Sequence, residues 1–233
     1  MKKIKVTPYT PERYNEWQSF LKDSNNGTIF HDQDFLSYHP EGRFHFEHLM
    51  FYEGDSPIAI LPGGFREDKT YRSPMGATFG GFVTPDDFNL KRGNETVKKF
   101  LEYIKERDSK GAVLTPPLTP FSSHPDEVID YSLIYNGFTQ YNPLYSSIID
   151  THTVKDRGDL HRKIRYNIRY AEKCGLEVRE EESLDASYGI LVKNKLKFNT
   201  APTHSLEELR YLKQVFPERI VNFTGWYDSS PIA

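Results

Sequence analysis

The chain has 233 residues, of which 27% are charged and 37% hydrophobic, and carries a formal charge of −3. That balance is ordinary for a folded globular protein and gives no general pull toward nucleic acid or an anionic membrane surface. The lone cysteine, Cys174, excludes a disulfide framework and a cysteine-based zinc site and suits a reducing compartment, so a cytoplasmic location is expected. No run approaches the ~20 apolar residues of a membrane span, and the alternating residues after Met1-Lys2-Lys3 lack a signal-peptide core.

In chain order, residues 3–7 read as a short strand. Thr10-Pro11 opens a helix with proline at its first position, Tyr14, Trp17, Phe20 and Leu21 sharing one face. Asn25-Asn26-Gly27 ends it, and a second short helix is expected over residues 34–38, with His31 just before it. Residues 44–66 hold a hairpin, in which LMFYEGDSPIAIL is an apolar strand, a Gly54-Asp55-Ser56 turn and a second apolar strand. Residues 71–83 are strand and glycine-rich loop. Asn94 is the expected cap of the clearest helix, where Val97, Phe100, Leu101 and Ile104 recur at helical spacing before Gly111. AVLTPP reads as a buried strand, residues 127–135 as a helix and residues 138–150 as strands. Alternation of this kind specifies a mixed α/β layer structure.

The next helix has Asp159 as its expected cap, a buried stripe of Leu160, Ile164, Ile168 and Ala171, and Gly175 as its stop. Another face carries Arg162, Arg165, Arg169 and Lys173 with Tyr166 and Tyr170 beside them. Guanidinium forks match phosphate or carboxylate oxygens and tyrosines stack or donate, so the stripe suits an anionic ligand; a solvated basic face is the other reading. Ser205 and Glu208 form a capping-box pattern, which makes Ser205 a helix cap and not a nucleophile. His204 precedes that helix start, where backbone amides favour a neutral imidazole. His204 and His31 are thus candidate ligand contacts, with a structural role equally open.

Residues 221–233, VNFTGWYDSSPIA, repeat the earlier strand-turn-strand signature, with Asp228-Ser229-Ser230 at the turn and Pro-Ile-Ala restarting the sheet. Aligning the two Pro-Ile-Ala triplets also pairs FLSYHPEGRFHF with ELRYLKQVFPERI upstream. The expectation is an internal duplication, with units at residues 1–150 and 151–233 and the second copy cut short within its hairpin.

Several chemistries fit poorly. SPMGATFGGF has neither the Walker lysine nor G-x-G-x-x-G spacing. No G-x-S-x-G elbow and no H-x-x-H or H-E-x-x-H spacing occurs, so hydrolase and metal readings start low and no metal is expected.

Taken in order, NGTIFHDQDFLSYHP, SPIAILPGG, RSPMGATFGGFV, RKIRYNIRYAEKCGLEVRE, APTHSLEELRYLKQVFP and WYDSSPIA resemble the FemABX-like branch of the GNAT N-acyltransferases, over nearly the whole chain. The resemblance implies an α/β (α+β) fold of two GNAT-like units, each a twisted mixed sheet flanked by helices. It implies transfer of an acyl or aminoacyl group from a thioester or tRNA ester to a primary amine. By the same resemblance the donor is acetyl-CoA or another acyl-CoA, and the acceptor a small molecule, amino sugar or cell-wall precursor. The basic Tyr/Arg helix and the PTHS segment would border the acceptor cleft between units, while the catalytic base has no named candidate. In that family the donor lies between two splayed strands with its pyrophosphate on the next helix start. In the second unit those elements would follow Ala233, and residues 66–81 of the first show no Q/R-x-x-G-x-G/A loop. Two alternatives stand beside this reading: a Fem-type aminoacyl-tRNA-dependent transferase, and a non-catalytic module for a phosphorylated or glycan ligand.

Overall fold

A computed structural model describes residues 3–143 and 145–232, which divide into two compact units after Tyr141. The expected border lay at residue 150. Residues 138–150, expected as strands, form none among the described residues; Tyr141 and Tyr145 are 81% and 95% exposed, so their apolar pattern has no surface to bury against.

In the first unit, β1 (Ile4–Pro8), β2 (Leu49–Glu53) and β3 (Ser56–Leu61) form an antiparallel sheet in that order. The β2 run Leu-Met-Phe-Tyr is buried throughout because both faces are covered. Leu49 and Phe51 share a core with Val97, Phe100 and Ile104 of α3 (Leu90–Glu106), whereas Met50 and Tyr52 pack with Trp17 of α1 (Tyr14–Lys22). Period-two alternation thus sorts one strand between two helices. A short helix, α2 (Gln33–Leu36), leads back toward β2.

A second small sheet holds β4 (Gly64–Phe65), β5 (Thr70–Ser73) and β6 (Gly111–Leu114); β5 and β6 are parallel, with α3 in the crossover between them. Isolated bridges join Phe46, ahead of β2, to Gly64 of β4, and Ile60 of β3 to Val83. At Gly64 a Cβ would lie 2.1 Å from the His45 carbonyl oxygen, so only glycine permits this approach. Helix α3 is capped by Asn89, whose Oδ1 accepts from the Arg92 amide at 3.1 Å, and not by Asn94. Gly93 lies inside it because α4 (Val128–Tyr135) presses Ser132 against that point.

The second unit runs α5 (Arg162–Lys173), β7 (Glu177–Glu180), α6 (Asp185–Leu196), α7 (Leu206–Val215), β8 (Phe223–Tyr227) and β9 (Ser230–Pro231). Helix α5 is capped by His161, whose Nδ1 accepts from the Lys163 amide at 3.3 Å; the expected cap, Asp159, instead closes a preceding 3-10 turn. Strands β7, β8 and β9 repeat the ladder of β1, β2 and β3. The pairs Glu53–Ser56 and Tyr52–Pro57 have counterparts in Tyr227–Ser230 and Trp226–Pro231. On the other side, Lys5 opposite Tyr52 corresponds to Glu177 opposite Trp226, and the Ile232 amide still bonds to the Gly225 carbonyl at 2.8 Å. The turns differ, and the first hairpin has a register shift between Phe51 and Tyr52. Gly54 alone has positive φ in the first, whereas Asp228 and Ser229 both do in the second, the φ pattern of a type I′ turn.

Candidate functional site

The 3.6-residue period of α5 places Arg162, Arg165 and Arg169 in one row beside Tyr166 and Tyr170. The two tyrosine rings stack at 6.4 Å with planes 14° apart, and are 66% and 60% exposed. Arg165 Nη1 donates a long bond of 3.4 Å to the Gly158 carbonyl. Among the described residues no carboxylate pairs with any of the three guanidinium groups. The acid of the helix's last turn, Glu172, is held by Arg157 at 2.6 Å. The row therefore retains its positive charge next to two aromatic faces, an arrangement that suits a phosphate or carboxylate attached to a flat or sugar-like body.

His204 lies half-buried just ahead of α7, and its carbonyl accepts from the Tyr188 hydroxyl at 3.1 Å. The capping box behind it is complete: the Glu208 amide donates to Ser205 Oγ at 3.1 Å and the Ser205 amide to Glu208 Oε2 at 2.6 Å. Ser205 is a cap.

His31, the other histidine named as a candidate, belongs to the first unit. The side chain is fully buried. Its Nδ1 faces the Thr28 amide at 3.1 Å and the Thr28 hydroxyl at 3.0 Å, while its Nε2 reaches the Gly80 carbonyl at 3.1 Å. An Nδ1 that accepts from an amide leaves the proton on Nε2, which donates to Gly80. Burial lowers the pKa to about 4, so the ring is a neutral clamp between two loops.

In the first unit the parallel strands β5 and β6 are hydrogen-bonded to each other from Thr70–Gly111 to Ser73–Leu114. Just beyond the β5–β6 ladder, the Thr115 amide bonds to the Ser73 carbonyl at 2.7 Å, and the Thr115 carbonyl is taken by the amide of Gly80 from the loop after β5, at 2.8 Å. Sequence reasoning passed over Gln33 and His48, which line a hollow of this unit. The alternation Phe44, Phe46, His48 was the available signal, since neighbouring rings in that series lie 5.6 and 4.9 Å apart.

No family model and no curated protein sequence matches the chain. Among solved structures it matches FemX with a TM-score of 0.58 at 13% identity, over 95% of this chain and 57% of the FemX chain. The fold is FemX-like. This chain therefore spans 57% of the length of FemX, and at such identity the likeness concerns the fold. A GNAT family acetyltransferase from Staphylococcus aureus aligns with 63% of this chain and 99% of its own, at 11% identity and a TM-score of 0.39. Among the described residues, no helix is long and apolar enough to cross a membrane.

Proposed function

We propose that the protein is an N-acyltransferase and that these residues hold its amine acceptor, with α5 gripping a phosphate or carboxylate of that acceptor. The observation that carries this reading is the row Arg162, Arg165 and Arg169, without carboxylate partners, beside the stacked Tyr166 and Tyr170. An amino sugar on a nucleotide, or a cell-wall precursor, combines the three features such a face would select: an anion, a flat or ring-shaped body and a primary amine. His204 is included in the proposed acceptor region. The donor in this reading is acetyl-CoA or another acyl-CoA. The amine attacks the thioester carbonyl, the oxyanion collapses, the C–S bond breaks, CoA leaves as thiolate, and the ammonium proton passes to a base. Amide and free CoA are the products.

Calorimetry with a nucleoside diphosphate amino sugar tests the acceptor site. Arg165→Ala should weaken binding by ~1.5–3 kcal/mol, the range for a charged hydrogen bond. An unchanged affinity would return α5 to a solvated basic face. Release of CoA thiol from acetyl-CoA in the presence of the bound amine tests the chemistry. Turnover only with an aminoacyl-tRNA would shift the donor to the Fem type. The hydrogen-bonded β5–β6 pair favours a second reading for these residues, acceptor binding without chemistry, which binding without thiol release or aminoacyl transfer would support.

A further inference from the structure

Helix α5 carries one acid, Glu172, at the edge of its basic row. By helical period Glu172 lies about one turn beyond Arg169 and about two beyond Arg165, and side chains three apart on a helix surface are neighbours. A glutamate in that place is the natural partner of Arg169, and such a pair would cancel one of the three charges that the row offers to an anion. In the structure the carboxylate is taken from outside the helix instead: Glu172 Oε1 sits 2.6 Å from Arg157 Nη2.

Arg157 opens the 3-10 turn Arg157–Asp159 that precedes α5. That turn is set by bonds to its own main chain. Asp156 Oδ1 accepts from the Gly158 amide at 2.5 Å, and Asp159 Oδ2 accepts from the Lys155 and Asp156 amides at 2.9 and 3.2 Å. The two acids nearest the start of α5 are therefore engaged by backbone donors, and Arg157 is presented on a fixed turn. The same turn gives the Gly158 carbonyl to Arg165 Nη1. Beyond the helix, Glu177 is held by Arg179 Nη2 at 2.7 Å. Asp156, Asp159, Glu172 and Glu177 thus each have a partner outside the row, and of these Glu172 alone stands on the helix.

The geometry points to Arg157 as a positioning residue of the anion site. By holding Glu172 it keeps Arg169 free of the carboxylate three residues on, so that all three guanidinium groups stay available to a phosphate or carboxylate. The inference rests on the acceptor reading of α5 and adds to it a residue that acts through another. Arg157 and Glu172 are 67% and 46% exposed, where an ion pair adds little to stability, so Arg157→Ala should keep the fold and its thermal midpoint.

Inorganic pyrophosphate is the probe, titrated by calorimetry into the intact chain at low ionic strength, with the Arg169 Nε–H resonance recorded by NMR before any is added. Arg157→Ala should shift that resonance, as Glu172 turns to Arg169, and weaken pyrophosphate about two- to fivefold, the range for an exposed ion pair. Adding Glu172→Gln should return both the resonance and the affinity toward wild-type values, and Arg157→Lys should hold both near them. A merely structural arginine would leave the Arg169 resonance in place, and its loss would not be repaired at Glu172. An unmoved resonance, or a double variant that binds no better than Arg157→Ala, would overturn the role of Arg157 while the acceptor reading stands. Wild-type protein that binds no pyrophosphate would overturn the acceptor reading and this role with it.

Discussion

His31 and His48 are each buried as neutral imidazoles whose pKa is lowered from 6.5 to about 4. In both cases desolvation outweighs the bonds that would favour the charged ring. The unfolded chain, with a histidine pKa near 6.5, therefore binds more protons than the folded one between about pH 4 and about pH 6.5. Stability from these groups is fully present above about pH 6.5 and is lost as the pH falls toward about 4, by roughly 3 kcal/mol for each imidazole on the scale of ~1.4 kcal/mol per pH unit. Denaturant unfolding between about pH 7.5 and about pH 4.5 should show this fall, and His31→Gln should remove about half of it; a flat profile would contradict the neutral clamps. Gly64 offers a second test. A Cβ there meets the His45 carbonyl oxygen at 2.1 Å, so Gly64→Ala should cost roughly 1–3 kcal/mol or more through forced backbone movement, read as a lower unfolding midpoint.

At the scale of elements, the two hairpins share the register of the two pairs beside the turn but not the turn itself. Asp228 and Ser229 both sit at positive φ, 46° and 59°, a conformation that glycine adopts without the Cβ penalty. Ser229→Gly should therefore stabilise the second unit by about 0.5–1 kcal/mol, the strain relief being partly offset by unfolded-chain entropy. Slower amide exchange in β8 would reveal it. The hairpins were legible in the sequence because apolar runs around a turn need no distant information, and the Pro-Ile-Ala triplets already carried the register. The start of α3 was not legible: its first turn holds Leu90, 47% exposed, and Gly93, whose place depends on Ser132 of another helix. His161 as the cap of α5 broke the usual preference for Ser, Thr, Asp or Asn. The Arg/Tyr row of α5 was readable from spacing alone. The fate of His31 was not, since it hangs on a carbonyl at Gly80, 49 residues away.

Over the whole molecule, apolar burial is unequal. Among the described residues with buried apolar side chains, the second unit contributes Leu212 and Phe216, while the first holds two core clusters. Val178 and Phe223, on paired strands of the second unit, are 67% and 60% exposed. Local opening follows buried apolar contact, so amides of β7 and β8 should exchange at least about tenfold faster than those of β2 and β3, as hydrogen-exchange mass spectrometry can measure; equal protection would mean that the chain opens as one cooperative body. The two tryptophans of the chain fall one to each unit. Trp17 is fully buried, edge-on to Tyr9 at 5.3 Å, with its Nε1 donating to the His31 carbonyl at 2.8 Å. Trp226 lies in the β8 ladder, with the Arg179 guanidinium 5.0 Å from its ring. Each unit thus carries its own fluorophore. Replacing Trp226 by phenylalanine leaves emission that reports on the first unit's core, and replacing Trp17 leaves emission that reports on the second, so the folding of each repeat can be followed by light within the same polypeptide.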